Sequence, residues 1–183
     1  GRSKEYISCL QWIEDAGIIR RCYNTSITEL PLNGNAIPDN FKVYMADIGL
    51  LVSMLEEGTT WSILQGELHG YKGAIYENLM ADILGKMGRK LYFFQKESGL
   101  ELDFLIRYKG ECVPVECKAR TGNAKSMKTV LNHPEKYHVF HALKFGDYNV
   151  GREGSILTLP FYMAFLLTEC TPSSTLSPAF STR

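Results

Sequence analysis

Apolar and polar residues alternate along residues 101–118 in two runs that meet at Lys109-Gly110. That period of two predicts a β-hairpin closed by a two-residue turn, with Gly110 supplying the positive φ such turns demand. Tyr108 then pairs with Glu111, and Asp103 falls opposite Glu116. The same register sets Leu102, Phe104 and Ile106 against Cys117, Val115 and Val113, so one face of the hairpin is apolar and both strands agree on a single pairing.

A helical period takes over elsewhere. Tyr71 to Met87 carries the stripe Met80, Ala81, Leu84 and Met87, with Glu77 at its N-terminal end and Asn78, Asp82 and Lys86 on the opposite side. Lys4 to Ala16 repeats Ile7, Leu10 and Ile13 with Tyr6 and Trp12 nearby, and stops at Gly17, where a capping glycine belongs. Ile18 to Tyr23 and Phe41 to Met45 read as strands around a polar loop, and Asp47 caps a helix reaching about Leu55. Trp61 to Leu68 is expected to be a mobile connector. Beyond the hairpin come a helix over Asn123–Leu131, a break at Pro134, strands at Val139–Phe145 and Ser155–Leu159 with a turn through Gly146 and Asn149, and a closing helix over Phe161–Leu167. Thr171–Arg183, rich in Ser, Thr and Pro without an apolar period, is expected to be disordered. The chain shows no internal repeat, and these elements describe an α/β protein with helices around one sheet.

The chemistry of the hairpin lies on its polar face. Asp103 and Glu116 directly opposite one another would repel, which normally destabilises a sheet, and a bound cation would turn that repulsion into a site. Lys118, two residues beyond Glu116, shares its face and would help stabilise charge developing on a phosphate. The bland alternative pairs Lys118 with Glu101 as a surface ion pair worth ~0–1 kcal/mol. Glu77 has a functional reading as a third carboxylate on the same metal; its bland readings are a solvated first-turn residue or the partner of a buried lysine.

Composition narrows the class. At 183 residues, 45% hydrophobic and 22% charged, the chain can bury one substantial core with a small appended module. No apolar run approaches the ~20 residues of a membrane span and no cleavable signal is visible, so a cytoplasmic protein is expected. Five cysteines, Cys9, Cys22, Cys112, Cys117 and Cys170, lack C-x-x-C spacing. They argue against zinc; Cys9 and Cys117 read as small hydrophobes in a reducing compartment. His133, His138 and His141 have no metal-binding spacing. The net charge of zero hides an uneven distribution: residues 1–85 hold six Lys/Arg against eleven Asp/Glu, whereas residues 86–152 hold thirteen against seven. The basic part coincides with the hairpin, and Arg120, Lys125 and Lys128 after it are candidates for a nucleic-acid backbone. An excess of six over that length also suits an ordinary solvated face.

The order Glu77, Asp103, Glu116-x-Lys118 on helix, strand and strand resembles the PD-(D/E)XK nuclease superfamily. With the flanking Lys42-Val-Tyr-Met-Ala-Asp47-Ile-Gly49-Leu, Gly73-Ala-Ile-Tyr-Glu77-Asn78, Leu91-Tyr-Phe-Phe and Leu159-Pro160-Phe-Tyr-Met, the chain from about Tyr6 to Leu167 resembles the C-terminal domain of unknown function in prokaryotic AAA-type ATPases. The resemblance implies a winged-helix-like segment over residues 1–48, a restriction-endonuclease-like mixed sheet flanked by helices over 49–168, and a tail over 169–183. It implies Mg2+ or Mn2+ held by Asp103, Glu116 and Glu77, with Lys118 assisting hydrolysis of a phosphodiester, DNA favoured. It also implies an upstream ATPase domain as partner, and ATP would bind only there, since no G-x-x-x-x-G-K-[ST] loop is present and Gly122-Asn-Ala-Lys125-Ser126 lacks the required spacing. Starting at Gly1-Arg2-Ser3, the chain reads as a C-terminal piece of a longer protein. Two other classes remain open: a catalytically silent nucleic-acid- or protein-binding module controlled by the ATPase, and a winged-helix transcription regulator.

Overall fold

A computed structural model describes residues 2–67, 71–118 and 124–168, with side chains from residue 8 onward. The strands are β1 (Ile19–Thr25), β2 (Ala36–Met45), β3 (Leu91–Gln95), β4 (Glu101–Tyr108), β5 (Glu111–Lys118), β6 (Ala142–Gly146), β7 (Gly151–Glu153) and β8 (Ile156–Pro160). The helices are α1 (Arg2–Asp15), α2 (Ile48–Ser53), α3 (Thr59–Gln65), α4 (Lys72–Lys86), α5 (Lys125–Leu131) and α6 (Pro134–Tyr137), with 3-10 helices at Leu32–Asn35 and Phe161–Leu167. All the described strands join one eight-stranded mixed sheet in the order β2-β1-β3-β4-β5-β6-β8-β7. β1, β3, β5, β6 and β8 run in the same direction, because β1/β3, β5/β6 and β6/β8 are parallel and β4 is antiparallel to both of its neighbours.

Two apolar layers sandwich the sheet. On one side Met80, Ala81 and Leu84 of α4 and Ala164 and Leu167 of the last 3-10 helix cover Phe93, Phe104, Val115 and Phe145. On the other, Met127 and Val130 of α5 and Tyr137 of α6 cover Phe94, Leu102, Leu105 and Ala142. A sheet covered on both faces needs nearly continuous apolar strands, and β3, with four buried residues in succession, is one.

The hairpin forms in the expected register from Tyr108 opposite Glu111, through Ile106 opposite Val113, to Phe104 opposite Val115, where the ladder stops short of the expected pair of Asp103 with Glu116. Lys109 and Gly110 both take positive φ, +51° and +85°, as a type I′ turn requires. The single apolar face expected for β4 holds for Phe104 and Ile106 but fails for Leu102. The pairing of β4 with β3 slips between Tyr92 and Phe94, so Leu102 turns into the α5 layer with Leu105. Asp103 sits at this irregularity, the kind of feature that re-aims a side chain next to a site.

The strands of residues 1–48 join the same sheet through β1, which pairs in parallel with β3. Several other expectations change. The expected connector at Trp61–Leu68 is largely α3, bounded by Gly58 and Gly66 in left-handed conformation. The strand expected from Val139 begins only at Ala142, after α6, which starts at Pro134 where proline at N1 is favourable. The turn before β8 contains β7, and Phe161–Leu167 closes as a 3-10 rather than an α-helix. Asn78 and Asp82, expected opposite the apolar stripe, are buried: Asn78 bonds both the N–H and the C=O of Met45, and Asp82 accepts from Ile48 N–H. Cys9 is exposed rather than packed, whereas Cys117 is buried as expected. Asp47 caps α2 by accepting from Leu50 N–H. No described helix is long and apolar enough to cross a membrane. The expected disorder of Thr171–Arg183 lies outside the described residues.

Candidate active site

The parallel strands end together at one edge of the sheet, the edge at which open α/β sheets usually bind ligands. Glu116 and Lys118 lie at the carboxyl end of β5, and antiparallel β4 begins there, which brings in Asp103. α4 crosses β5 and β2 and delivers Glu77 from its second turn. The structure thus gathers the four residues at one edge, but not on equal terms.

Asp103 Oδ2 accepts the N–H of Cys117 at 2.8 Å, so the carboxylate replaces the next rung of the β4–β5 ladder. Glu116 is 5% exposed; its Oε1 lies 2.5 Å from Lys118 Nζ. Its Oε2 is buried with no hydrogen-bond partner among the described residues. Burial, and then the charge of Glu116, push the Asp103 carboxyl up to about 7; the Cys117 N–H and Lys118 oppose the shift and Glu77 adds to it. Burial works against the charge on Lys118, but its hydrogen bond to Glu116 and the charges of Glu116 and Asp103 outweigh it and raise its pKa. Lys118 is therefore protonated at neutral pH, as expected for a lysine beside two carboxylates. Its partner is Glu116, not the Glu101 of the bland reading.

Glu77 is held elsewhere. Its Oε1 accepts from the Tyr44 hydroxyl and lies 3.2 Å from Lys42 Nζ, which also reaches Glu101 at 2.5 Å. The bland reading of Glu77 as a lysine's partner is realised, with Lys42, while its charge is still felt at Asp103. Among the described residues no group of three His, Cys, Asp or Glu side chains is arranged to hold a metal ion. Asp103 and Glu116 are the candidate ligands, and Glu77 stands beside them in a network with β2. Sequence reasoning missed Lys42 and Tyr44, although their i, i+2 spacing on a strand puts them on one face.

A polar row crosses the sheet from Glu116. Lys144 of β6 is its register partner, and Thr158 of β8 is the register partner of Lys144. Lys128 pairs with Glu153 at 2.9 Å, and Lys125, at the start of α5, is exposed. Arg120 lies outside the described residues. His133, His138 and His141 each pair with a glutamate, Glu135, Glu29 and Glu111 respectively.

Residues 72–162 match the family model described as a domain of unknown function (DUF4143), a family known in AAA-ATPase-associated proteins. Residues 1–60 match a second, also described as a domain of unknown function (DUF8612). No curated protein and no solved structure matches the chain.

Proposed function

We propose that this chain carries a divalent-metal-dependent phosphodiester hydrolase site of the PD-(D/E)XK type, acting on nucleic acid, with residues 1–48 as a winged-helix-like segment that bridges to an upstream ATPase. The observation that carries the reading is the pair Asp103 and Glu116. Of two neighbouring carboxylates, Glu116 holds the one lysine, Asp103 is pushed to about 7, and Glu116 keeps a buried oxygen without a partner among the described residues. Two such groups in a sheet interior cost stability unless a cation joins them.

The donor set suits Mg2+ or Mn2+: hard carboxylate oxygens, few in number, beside an edge where water completes the shell. Such an ion, when bound, supplies positive charge against the phosphate and acidifies a water. The chain's own residues do the rest. Cys117 N–H fixes the orientation of Asp103, and Glu116 holds Lys118 within reach of the sheet edge. Protonated Lys118 stabilises the negative charge gathering on the phosphate and orients the attacking water. Tyr44 and Lys42 hold Glu77 close enough to tune Asp103 without occupying its place.

Plasmid and single-stranded DNA incubated with purified protein in Mg2+ or Mn2+ test this reading, beside Asp103→Ala and Lys118→Ala prepared identically. Metal-dependent cutting that falls at least ~100-fold in both variants is the expected result, as for loss of a group stabilising the transition state. Equal activity in all three, or none at high protein, favours the second reading. That reading is a binding module controlled by the ATPase; it draws on Glu77 being bound to Lys42 and Tyr44 of β2.

A further inference from the structure

Beside Lys118 lies a cavity of about 520 Å³ that the proposed hydrolysis does not use. It is walled by Tyr76 of α4, Asp147, Tyr148 and Asn149 of the β6–β7 loop, and Phe161 and Tyr162 of the closing 3-10 helix. Tyr76 and Phe161 have ring centroids 4.7 Å apart. Lys72 Nζ lies 5.3 Å from the Tyr76 ring centre and Lys144 Nζ 4.8 Å from that of Tyr148. The cavity is fastened to the site through Gly146, the register partner of Lys118. A Cβ there would come 2.6 Å from the Lys118 carbonyl oxygen and would run into the Tyr148 ring, so the ring lies over Gly146, next to the strand end that carries Lys118.

Several aromatic rings with lysines over two of them and an Asn amide at the rim form a surface for a flat, hydrogen-bonding heterocycle. Tyr162 is 79% exposed, which an apolar core role does not explain. Adjacent strands lie about 4.8 Å apart, so Gly146 and Pro160 stand about one and two strand spacings from Lys118, within a nucleotide's reach of a phosphate held there. Bases inside an intact duplex are stacked on each other and cannot enter such a cavity, whereas unpaired bases stack on aromatic side chains with little regard to sequence.

We infer that this cavity takes an unpaired nucleobase from the strand whose phosphate lies at Lys118, so that the substrate is single-stranded nucleic acid rather than closed duplex. The inference rests on the reading of Lys118 as a phosphate-facing group, and binding without metal separates the two. Fluorescence anisotropy in EDTA would compare a labelled oligothymidine with a duplex closed by hairpins at both ends. At least tenfold tighter binding to the single strand is expected. Tyr162→Ala and Tyr148→Ala should each weaken that binding between about fivefold and a hundredfold, the range of one lost stacking partner, while Tyr162→Phe keeps it and duplex binding stays unchanged. Because Tyr162 is exposed, its alanine variant tests the cavity without disturbing the core. Equal affinity for the two nucleic acids, or full binding by Tyr162→Ala, overturns the inference even if Mg2+-dependent cutting is present. Single-strand preference lost in Tyr162→Ala, with no cutting in any metal, upholds the cavity and overturns the hydrolase.

Discussion

Three lysines in this fold stand beside two carboxylates each; two of them bond both, the third only one. Lys86 lies between Asp82 and Asp47, at 2.9 and 3.4 Å, and Lys42 between Glu77 and Glu101, at 3.2 and 2.5 Å. Lys118 is bonded to Glu116, while Asp103 takes its hydrogen bond from a backbone N–H instead. An unpartnered carboxylate oxygen does not by itself distinguish the third group, because Asp82, 3% exposed, also leaves Oδ1 without a partner among the described residues. The second carboxylate makes the difference. Asp47 has a side chain 57% exposed and a pKa lowered chiefly by the Leu50 N–H, and Glu101 is 39% exposed. Asp103 is half-buried, with Glu116 and Glu77 near it, and its carboxyl rises to about 7. The second carboxylate is open to water in two groups, and in the third it is crowded by other carboxylates.

Neutralising Asp103 should produce the largest effect. Its folded pKa, near 7, lies above its ordinary value of 3.8, so the fold favours the protonated acid. Below about pH 3.8 the group is protonated in both states and adds no penalty; the penalty grows through pH 4–7 and is complete above about 7. Each unit of displacement is about 1.4 kcal/mol, so Asp103→Asn should stabilise the metal-free protein by on the order of 2–4 kcal/mol at pH 8.5 and by nothing near pH 3.5. Urea midpoints at the two pH values measure this, and a variant equally stable with wild type at both would place the Asp103 group with the other two.

Removing Lys42 probes a group already supplied with a cation. Lys42→Met leaves Glu77 and Glu101 without their shared partner, and a cost of about 1–3 kcal/mol follows from breaking hydrogen bonds to charged groups. A urea midpoint that does not move would mean Tyr44 alone satisfies Glu77. Metal should act at the Asp103 group alone. For a site with Kd of ~1 mM, ~10 mM Mg2+ should stabilise wild type by about 1.4 kcal/mol at pH 8. Glu116→Gln should lose that gain and Lys42→Met retain it, as read from thermal midpoints with and without the ion.

The hairpin was legible because three signals agreed on it: a period of two, a Lys-Gly turn, and charges that fell opposite each other in the implied register. Its departure at Leu102 was not, since the slip arises from pairing with β3, a partner that alternation within β4 cannot report. β3 itself gives a short apolar run without period, as strands buried on both faces do. The partnership of Glu77 with Tyr44 and Lys42 joins residues more than thirty positions apart and depends on how α4 crosses β2. The α2–α3 region offered weak signals for the reason its structure shows: neither helix buries a residue, so no stripe was needed.

The basic residues after the hairpin mark the lower end of the scale. Lys128, a candidate backbone contact in the sequence, lies 2.9 Å from Glu153, whose side chain is 76% exposed and whose pKa is lowered first by that hydrogen bond. A pair so open to solvent contributes little to folding and is screened by salt. Lys128→Ala should therefore leave the urea midpoint where it is. If the α5 surface borders the strand bound at Lys118, the same variant should flatten the dependence of log affinity on log salt by somewhat under one unit, ~0.7 for a single strand, uniformly across sequences. An unchanged slope would assign Lys128 to Glu153 alone and remove the α5 surface from the proposed nucleic-acid contact.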